Sequence, residues 1–433
     1  MDLKQKSRIK WAVEGDENTA FFHGIINANT SCNRINGLRI DGVWTTSPPL
    51  VKDFTHHFFS EKFKEPADSR PALICPNLAN LSGLEVDDLV RPFSLIEVKN
   101  AVWECDGDKA PGPDGINFRF LRSVWGGVEA DFMELFNNFF SNPGFTQGCM
   151  SSFIALIPKV SDPAGLSDYR PISLVGCMNK VISKVLENHL KGVIHGLISE
   201  EQTAFLASRS ILDGPLMLNE IVTWLKRSKK AGMLFKVDLE KAYDTLSWGF
   251  LDSILEQMNF HPRWRSWIMA IVSSARASVL VNGSPTQEFQ CGRGLRQGDP
   301  ISPFLFIIAM EALSGVVKKA CSIGIFKGIE CGQNGPTLSH FLYADDVVFL
   351  GEWSVENARN LNRIMRCFYL ASGLQVNLAK SSVFGVGIDD TQVQDMATIL
   401  RCRVGSFPFK YLGLQVGANM NLVKHWKPII DTF

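Results

Sequence analysis

The sequence has no surplus of charge: 44 Lys and Arg stand against 44 Asp and Glu in 433 residues. The global basic excess of a simple nucleic-acid-binding domain is absent, so any contact with a polyanion has to be local. Paired cysteines are also missing. Ten are scattered singly, with no C-x-x-C and no Cys/His cluster at zinc spacing, which gives no zinc site and leaves reduced structural thiols as the expectation. Long apolar runs are lacking too. Stretches such as Phe304 to Met310 fall far short of the ~20 residues of a membrane helix, and the opening Met-Asp-Leu-Lys-Gln-Lys has no signal-peptide core. An intracellular location is the default expectation. What is present is a composition of 45% hydrophobic and 20% charged residues, ordinary for a folded globular chain. The length corresponds to about three domain-sized units, or one enzyme of several subdomains.

The exception to this ordinary pattern is Phe341-Leu342-Tyr343-Ala344-Asp345-Asp346-Val347-Val348-Phe349-Leu350, where two adjacent carboxylates interrupt an apolar run. The aromatic and β-branched flanks predict two short buried strands, with Ala344-Asp345-Asp346 as the polar place for reversal. Carboxylates side by side repel by about 4 kcal/mol at ~4 Å and an effective dielectric of ~20, so they call for cations or a shifted pKa. A solvated turn that happens to contain Asp-Asp is the plain alternative.

Further candidates follow along the chain. Ser94 and Glu97 form a capping box that opens a helix through Val102, and Asp106 to Gly115 is a breaker-rich loop. Phe153 to Lys159 reads as a strand ended by Pro158. Arg170, held extended by Pro171, could project a guanidinium toward a phosphate or serve a surface ion pair. An amphipathic helix is expected over Val181 to Leu197, and Lys226, Arg227, Lys229 and Lys230 make a local basic cluster that is either a solvated face or a contact for a nucleic-acid backbone. Met233 to Leu239 is a strand by composition, whose alternation puts Leu234, Lys236 and Asp238 on one face with the carboxylate at the strand end. Ser247 and Pro262 open helices, Asn282-Gly283 signals a hairpin, and Ser302-Pro303 opens an apolar helix from Phe304 to Leu313. Ser354 caps a helix bearing Val355, Ala358, Leu361, Met365 and Phe368, with Gly373 placed to end it.

Several of these stretches, in this order, resemble the boxes of reverse transcriptases of the non-LTR (LINE) retrotransposon family, plant type. They are Lys109-Ala110-Pro111-Gly112-Pro113-Asp114-Gly115; the pair around Lys159 and Arg170; Ile198-Ser199-Glu200-Glu201-Gln202-Thr203-Ala204-Phe205 through Arg209, with Ser208 where the family has Gly; Asp238 to Asp244; Arg296-Gln297-Gly298-Asp299-Pro300-Ile301-Ser302-Pro303; Tyr343-Ala344-Asp345-Asp346; Ala371 to Ser381; and Phe409 to Leu414. The opening Glu14-Gly15-Asp16-Glu17-Asn18-Thr19 with Phe21-Phe22-His23 resembles the segment that precedes the polymerase in such elements.

The resemblance implies an α+β fold: polymerase fingers and palm, with an antiparallel palm sheet flanked by helices and most of the thumb missing. The expected partition is a connector over 1–90, fingers over 91–232, palm over 233–405 and primer grip over 406–433. It further implies RNA-directed DNA synthesis on two magnesium ions, with manganese able to substitute, held by Asp238, Asp345 and Asp346 as catalytic and metal-binding residues. Arg170, Tyr243, Gln297, Gly298, Lys159 and Lys380 are expected to contact nucleotide, although without the resemblance Tyr243 reads first as a packed core aromatic and Lys380 reads more readily as a surface lysine. Tyr411, Leu412 and Gly413 would grip the primer. The implied partners are an RNA template, a DNA primer and deoxynucleotides, and the implied location is nuclear. Two alternatives stay open at this point: a truncated, inactive retroelement remnant, and a group II intron-type maturase.

Overall fold

The computed structural model describes residue 27 and residues 33–145, 150–332, 335–420 and 422–430. The opening segment from Lys4 to His23 lies outside the described residues. The chain divides into two compact units that interleave along the sequence. One holds the described residues up to Pro66 together with Val90–His189 and Ser266–Ser302, and the other holds Ala67–Leu89, Leu190–Arg265 and the chain from Pro303 onward. These units cross the linear blocks 1–90, 91–232, 233–405 and 406–433, for a reason that lies in strand pairing and helix packing. Arg276–Val281 pairs in parallel with Ser151–Pro158, which draws that segment into the first unit. The helix Asp213–Ser228 buries Leu218, Ile221, Val222 and Leu225 in one cluster with Leu234 and Val348, which draws it into the second.

In the first unit, Tyr169–Val175, Ser151–Pro158 and Arg276–Val281 form the body of a sheet, extended by Ser284–Pro285 and Phe289–Gln290. Alternate burial along Ser151–Pro158 turns Ile154 and Leu156 into a core with Val51, Phe59, Phe63, Val279 and Phe289. The turn between Arg276–Val281 and Ser284–Pro285 is Asn282-Gly283, both at positive φ (52° and 84°), the geometry that a two-residue hairpin turn selects Asn-Gly for. The loop Lys109 to Gly115 is docked rather than idle. A Cβ on Gly112 would lie 2.5 Å from the backbone of Val175 and Gly176, and Asp114 accepts the N–H of Cys177, first residue of the helix Cys177–Lys191. That carboxylate caps the helix from outside its own segment and complements its positive end. The helix expected over Val181 to Leu197 therefore begins at Cys177, pauses after Lys191 and resumes as a single turn, Ile194–Leu197.

The second unit is built on a five-stranded sheet in the order His340–Tyr343, Asp346–Glu352, Gly232–Asp238, Ser382–Val386, Arg403–Val404, antiparallel except for the last pair. Its central strand buries Met233, Leu234, Phe235 and Val237, on both faces of the sheet, and leaves Lys236 and Asp238 only partly covered. Leu234 joins the cluster under Asp213–Ser228 and the hairpin Phe409–Val416, while Phe235 stacks on Phe349 with ring centres 6.4 Å apart. The helix Val355–Ser372 has Ser354 as its N-cap and Gly373, at φ 81°, as its C-cap. Ala358, Leu361, Met365 and Phe368 are its buried stripe, but Val355 is exposed, one residue inside the helix start where the stripe has not yet turned inward. The apolar helix expected to end at Leu313 runs as Ser302–Ser322; Phe304 to Leu313 is buried throughout.

Candidate active site

Strand register puts the carboxylates together. Asp346 is the first residue of Asp346–Glu352 and lies opposite Asp238, the last residue of Gly232–Asp238, while Tyr343 lies opposite Asp346 across the hairpin. The turn is thus two residues, Ala344-Asp345, with Ala344 in the left-handed region at φ 52°. Such a turn is strained for a residue with a Cβ, and strain of this kind costs ~1 kcal/mol or more unless the surroundings fix it. They do. Gln202 Oε1 accepts the N–H of Ala344 at 3.0 Å, Glu201 O accepts the N–H of Leu342 at 2.8 Å, and Leu342 O accepts the N–H of Thr203 at 3.0 Å. The segment around Gln202 covers the free edge of the hairpin.

The electrostatics match this placement. Burial pushes the Asp346 carboxyl above its usual value, the Asp345 and Asp238 carboxylates push it further, and the Lys236 ammonium partly offsets them. Tyr243 is half-buried and its ring stacks on Phe306, centres 4.5 Å apart and planes 15° from parallel. Burial, and then the Asp345 carboxylate, push its phenol up. The backbone of Asp238 is fixed from the other side: its N–H donates to Ser381 Oγ at 3.1 Å, and its C=O accepts from Asn377 N at 2.8 Å. Lys380 follows in the same turn and is exposed.

Tyr411 is buried, not displayed, and its hydroxyl donates to Asp346 O at 3.4 Å. Lys236 Nζ donates to Lys410 O at 3.2 Å and lies 5.9 Å from the Tyr411 ring centre. The hairpin Phe409–Tyr411 and Leu414–Val416 is thereby tied to the carboxylate strands, with Leu412 and Gly413 at its tip, both at positive φ.

The remaining candidates belong to the first unit. Arg170 lies opposite Ile157 in the sheet, is exposed and has no ion pair among the described residues. Lys159 is exposed and its Nζ donates to Ser167 O at 3.0 Å. Gln297 O accepts the N–H of Ser173 at 2.9 Å, and Gly298 is exposed at φ 111°, where an added Cβ would meet Ser173 O at 3.1 Å. Arg296 and Asp299 on either side are turned inward, 3.7 Å apart, so in this box the charged pair braces the loop while Gln297 and Gly298 are presented.

Three aspartates offer hard oxygen donors, and the upward push on Asp346 by its neighbours is a repulsion that a divalent cation would relieve, so the donor chemistry fits such an ion. Among the described residues, no three His, Cys, Asp or Glu side chains already form a group that could hold a metal. The carboxylates are neighbours by register, and their side chains would have to turn toward a common ion. Sequence reasoning missed Gln202, Ser381 and Asp114 as supports. All three lie inside the stretches that resemble the family's boxes, which by themselves assign them no supporting role.

Residues 157–416 match the reverse transcriptase (RNA-dependent DNA polymerase) family. The chain belongs to that family. Among its relatives are proteins of retrotransposons and transposons: it is 25% identical over 383 residues to the 149 kDa protein of transposon TX1 of Xenopus laevis, covering 87% of this chain and 29% of that protein. It is also 25% identical over 293 residues to the Pol polyprotein of the R2 element of Nasonia vitripennis, covering 67% and 27%. A short stretch of 67 residues is 46% identical to an uncharacterized mitochondrial protein of Arabidopsis thaliana, covering 16% of this chain and 55% of that protein. Matches to the TX1 and R2 proteins span about a third of their length or less.

Proposed function

We propose that this chain is the polymerase portion of a plant-type non-LTR retroelement and copies RNA into DNA. The reaction is attack of a primer 3′-hydroxyl on the α-phosphate of a deoxynucleotide, with pyrophosphate leaving. The observation that carries the reading is the register pair Asp238 and Asp346, with Asp345 one residue away on a braced turn. Asp238, Asp345 and Asp346 would hold divalent cations, magnesium first and manganese in its place. When bound, such ions polarise the attacking oxygen and neutralise charge on the phosphates. The chain's own task is positioning, since phosphoryl transfer asks little acid–base chemistry of the protein.

Tyr243, stacked and fixed beside Asp345, is the sugar-facing wall, and exposed Lys380 meets phosphate. Arg170, Lys159, Gln297 and Gly298 are the nucleotide and template contacts of the first unit. Leu412 and Gly413 present the primer grip, with Tyr411 as its buried root. RNA template, DNA primer and deoxynucleotides are the partners, with the nucleus as the place of action. In this reading 91–232 serves as fingers, 233–405 as palm, 406–433 as grip, and 1–90 as connector.

Primer extension by the purified chain on a homopolymer RNA with magnesium tests the reading. The parent extends. Asp345→Asn, which removes one charge from a carboxylate worth several kcal/mol of transition-state stabilisation, slows extension about 10³-fold. No extension by a folded parent would favour an inactive remnant instead.

A further inference from the structure

The loop Ile198 to Arg209 of the second unit, which covers the free edge of the carboxylate hairpin, carries no residue of the chemistry described above. Its ends are stapled by one guanidinium: Arg209 donates to Ile198 O at 2.9 Å and also to Ser199 O and Gln202 O. Within it Gln202 is fully buried. Its Oε1 accepts two backbone N–H groups at once, Ala204 and Ala344, each at 3.0 Å, while its buried Nε2 has no hydrogen-bond partner among the described residues. The orientation is forced. Turning the amide over would set an NH₂ against two N–H donors.

This arrangement is a poor way to gain stability, because an orphaned buried amide costs ~1–3 kcal/mol. It is a good way to hold a turn. The N–H it receives belongs to Ala344, the left-handed residue directly before Asp345, and a lone acceptor there fixes a backbone that L-residues leave readily. The loop reinforces that bond with a ladder along the same edge, Leu342 N to Glu201 O and Thr203 N to Leu342 O.

We propose that Gln202 is a positioning residue for the carboxylate turn. Its carboxamide oxygen clamps Ala344 so that Asp345 and Asp346 are held ready for divalent cations, a role that rests on the metal-binding reading given above.

The test uses two variants of the full chain and two readouts that need no turnover. In Gln202→Met, which keeps the length but removes the acceptor, amide hydrogen exchange in the peptide spanning 341–346 accelerates about tenfold, the effect of one lost bond. The peptide spanning 232–238 stays at its parent rate. Gln202→Glu keeps an accepting oxygen and restores slow exchange at 341–346. Manganese binding, read by the electron paramagnetic resonance of the free ion, weakens about tenfold in Gln202→Met. Unchanged exchange in Gln202→Met, no rescue by Gln202→Glu, or manganese affinity that ignores the faster exchange overturns the proposal. Asp345→Asn is the control that separates the two readings. If it binds manganese as the parent does, the carboxylate metal site fails, and exchange alone then decides whether Gln202 is the clamp.

Discussion

At the scale of single residues, hydrogen bonds from distant segments fix the backbone beside Asp238 and Asp345. Asp238 is held by Ser381 and Asn377, and the turn before Asp345 by Gln202. Tyr243 is fixed differently, by stacking on Phe306. If its edge faces the sugar, removing the ring opens space at the 2′ position. Tyr243→Ala then raises ribonucleotide over deoxyribonucleotide use by about tenfold to a hundredfold, and Tyr243→Phe, which keeps the ring, does not; competition between the two nucleotides in primer extension reads the ratio. The carboxylates were legible in the sequence because burying two of them amid apolar strands has few explanations. Gln202 was not, because its partner N–H lies 142 residues away and a polar loop residue reads alike whether it is clamped or solvated.

At the scale of elements, the strand His340–Tyr343 is backed by a buried polar chain. Ser339 Oγ lies 2.8 Å from His340 Nδ1, His340 Nε2 lies 2.9 Å from Ser314 Oγ, Ser314 Oγ lies 3.0 Å from Ser199 Oγ, and Ser199 donates to Glu311 at 2.9 Å. Burial pushes Glu311 up to about 7 and His340 down to about 4, with Lys318 and Glu201 as the other charged groups that act on both. The signs oppose. Between about pH 4.5 and 7 native Glu311 keeps a proton that the unfolded chain has released, so its contribution to stability falls as pH rises. His340, neutral in the fold, gives a contribution that is present above about 6.5 and lost as pH falls toward 4. Glu311→Gln removes the first effect alone. Its stability therefore gains on the parent by about 1.4 kcal/mol per pH unit from about pH 4.5 to 7, some 3 kcal/mol in all. Urea unfolding at pH 5 and pH 7.5 measures the gain, and a constant difference would refute it. Caps and turns at this scale were readable in advance, as Ser94, Ser247, Asn282-Gly283 and Gly373 show, because their chemistry is local. Helix ends were less so. Cys177–Lys191 starts where Asp114, 63 residues earlier, caps it, and Ser302–Ser322 runs past Leu313.

At the scale of the molecule, the two units exchange segments, and the linear partition read from box order could not anticipate that. Parallel pairing of Ser151–Pro158 with Arg276–Val281 joins stretches more than a hundred residues apart. The sheet order of the second unit was not legible, but the three aspartates expected to share metal ions do come to neighbouring strand ends, Asp238 opposite Asp346 in register. What this molecule does therefore turns on whether those strand ends are a polymerase centre. The direct measurement is the rate of adding one deoxynucleotide to a primed RNA of mixed sequence, with magnesium, by the parent and by Asp238→Asn. A centre built on this register gives a parent that adds the templated nucleotide and a variant slower by about 10³-fold with its fold intact. A variant that adds nucleotide within a few-fold of the parent would contradict it.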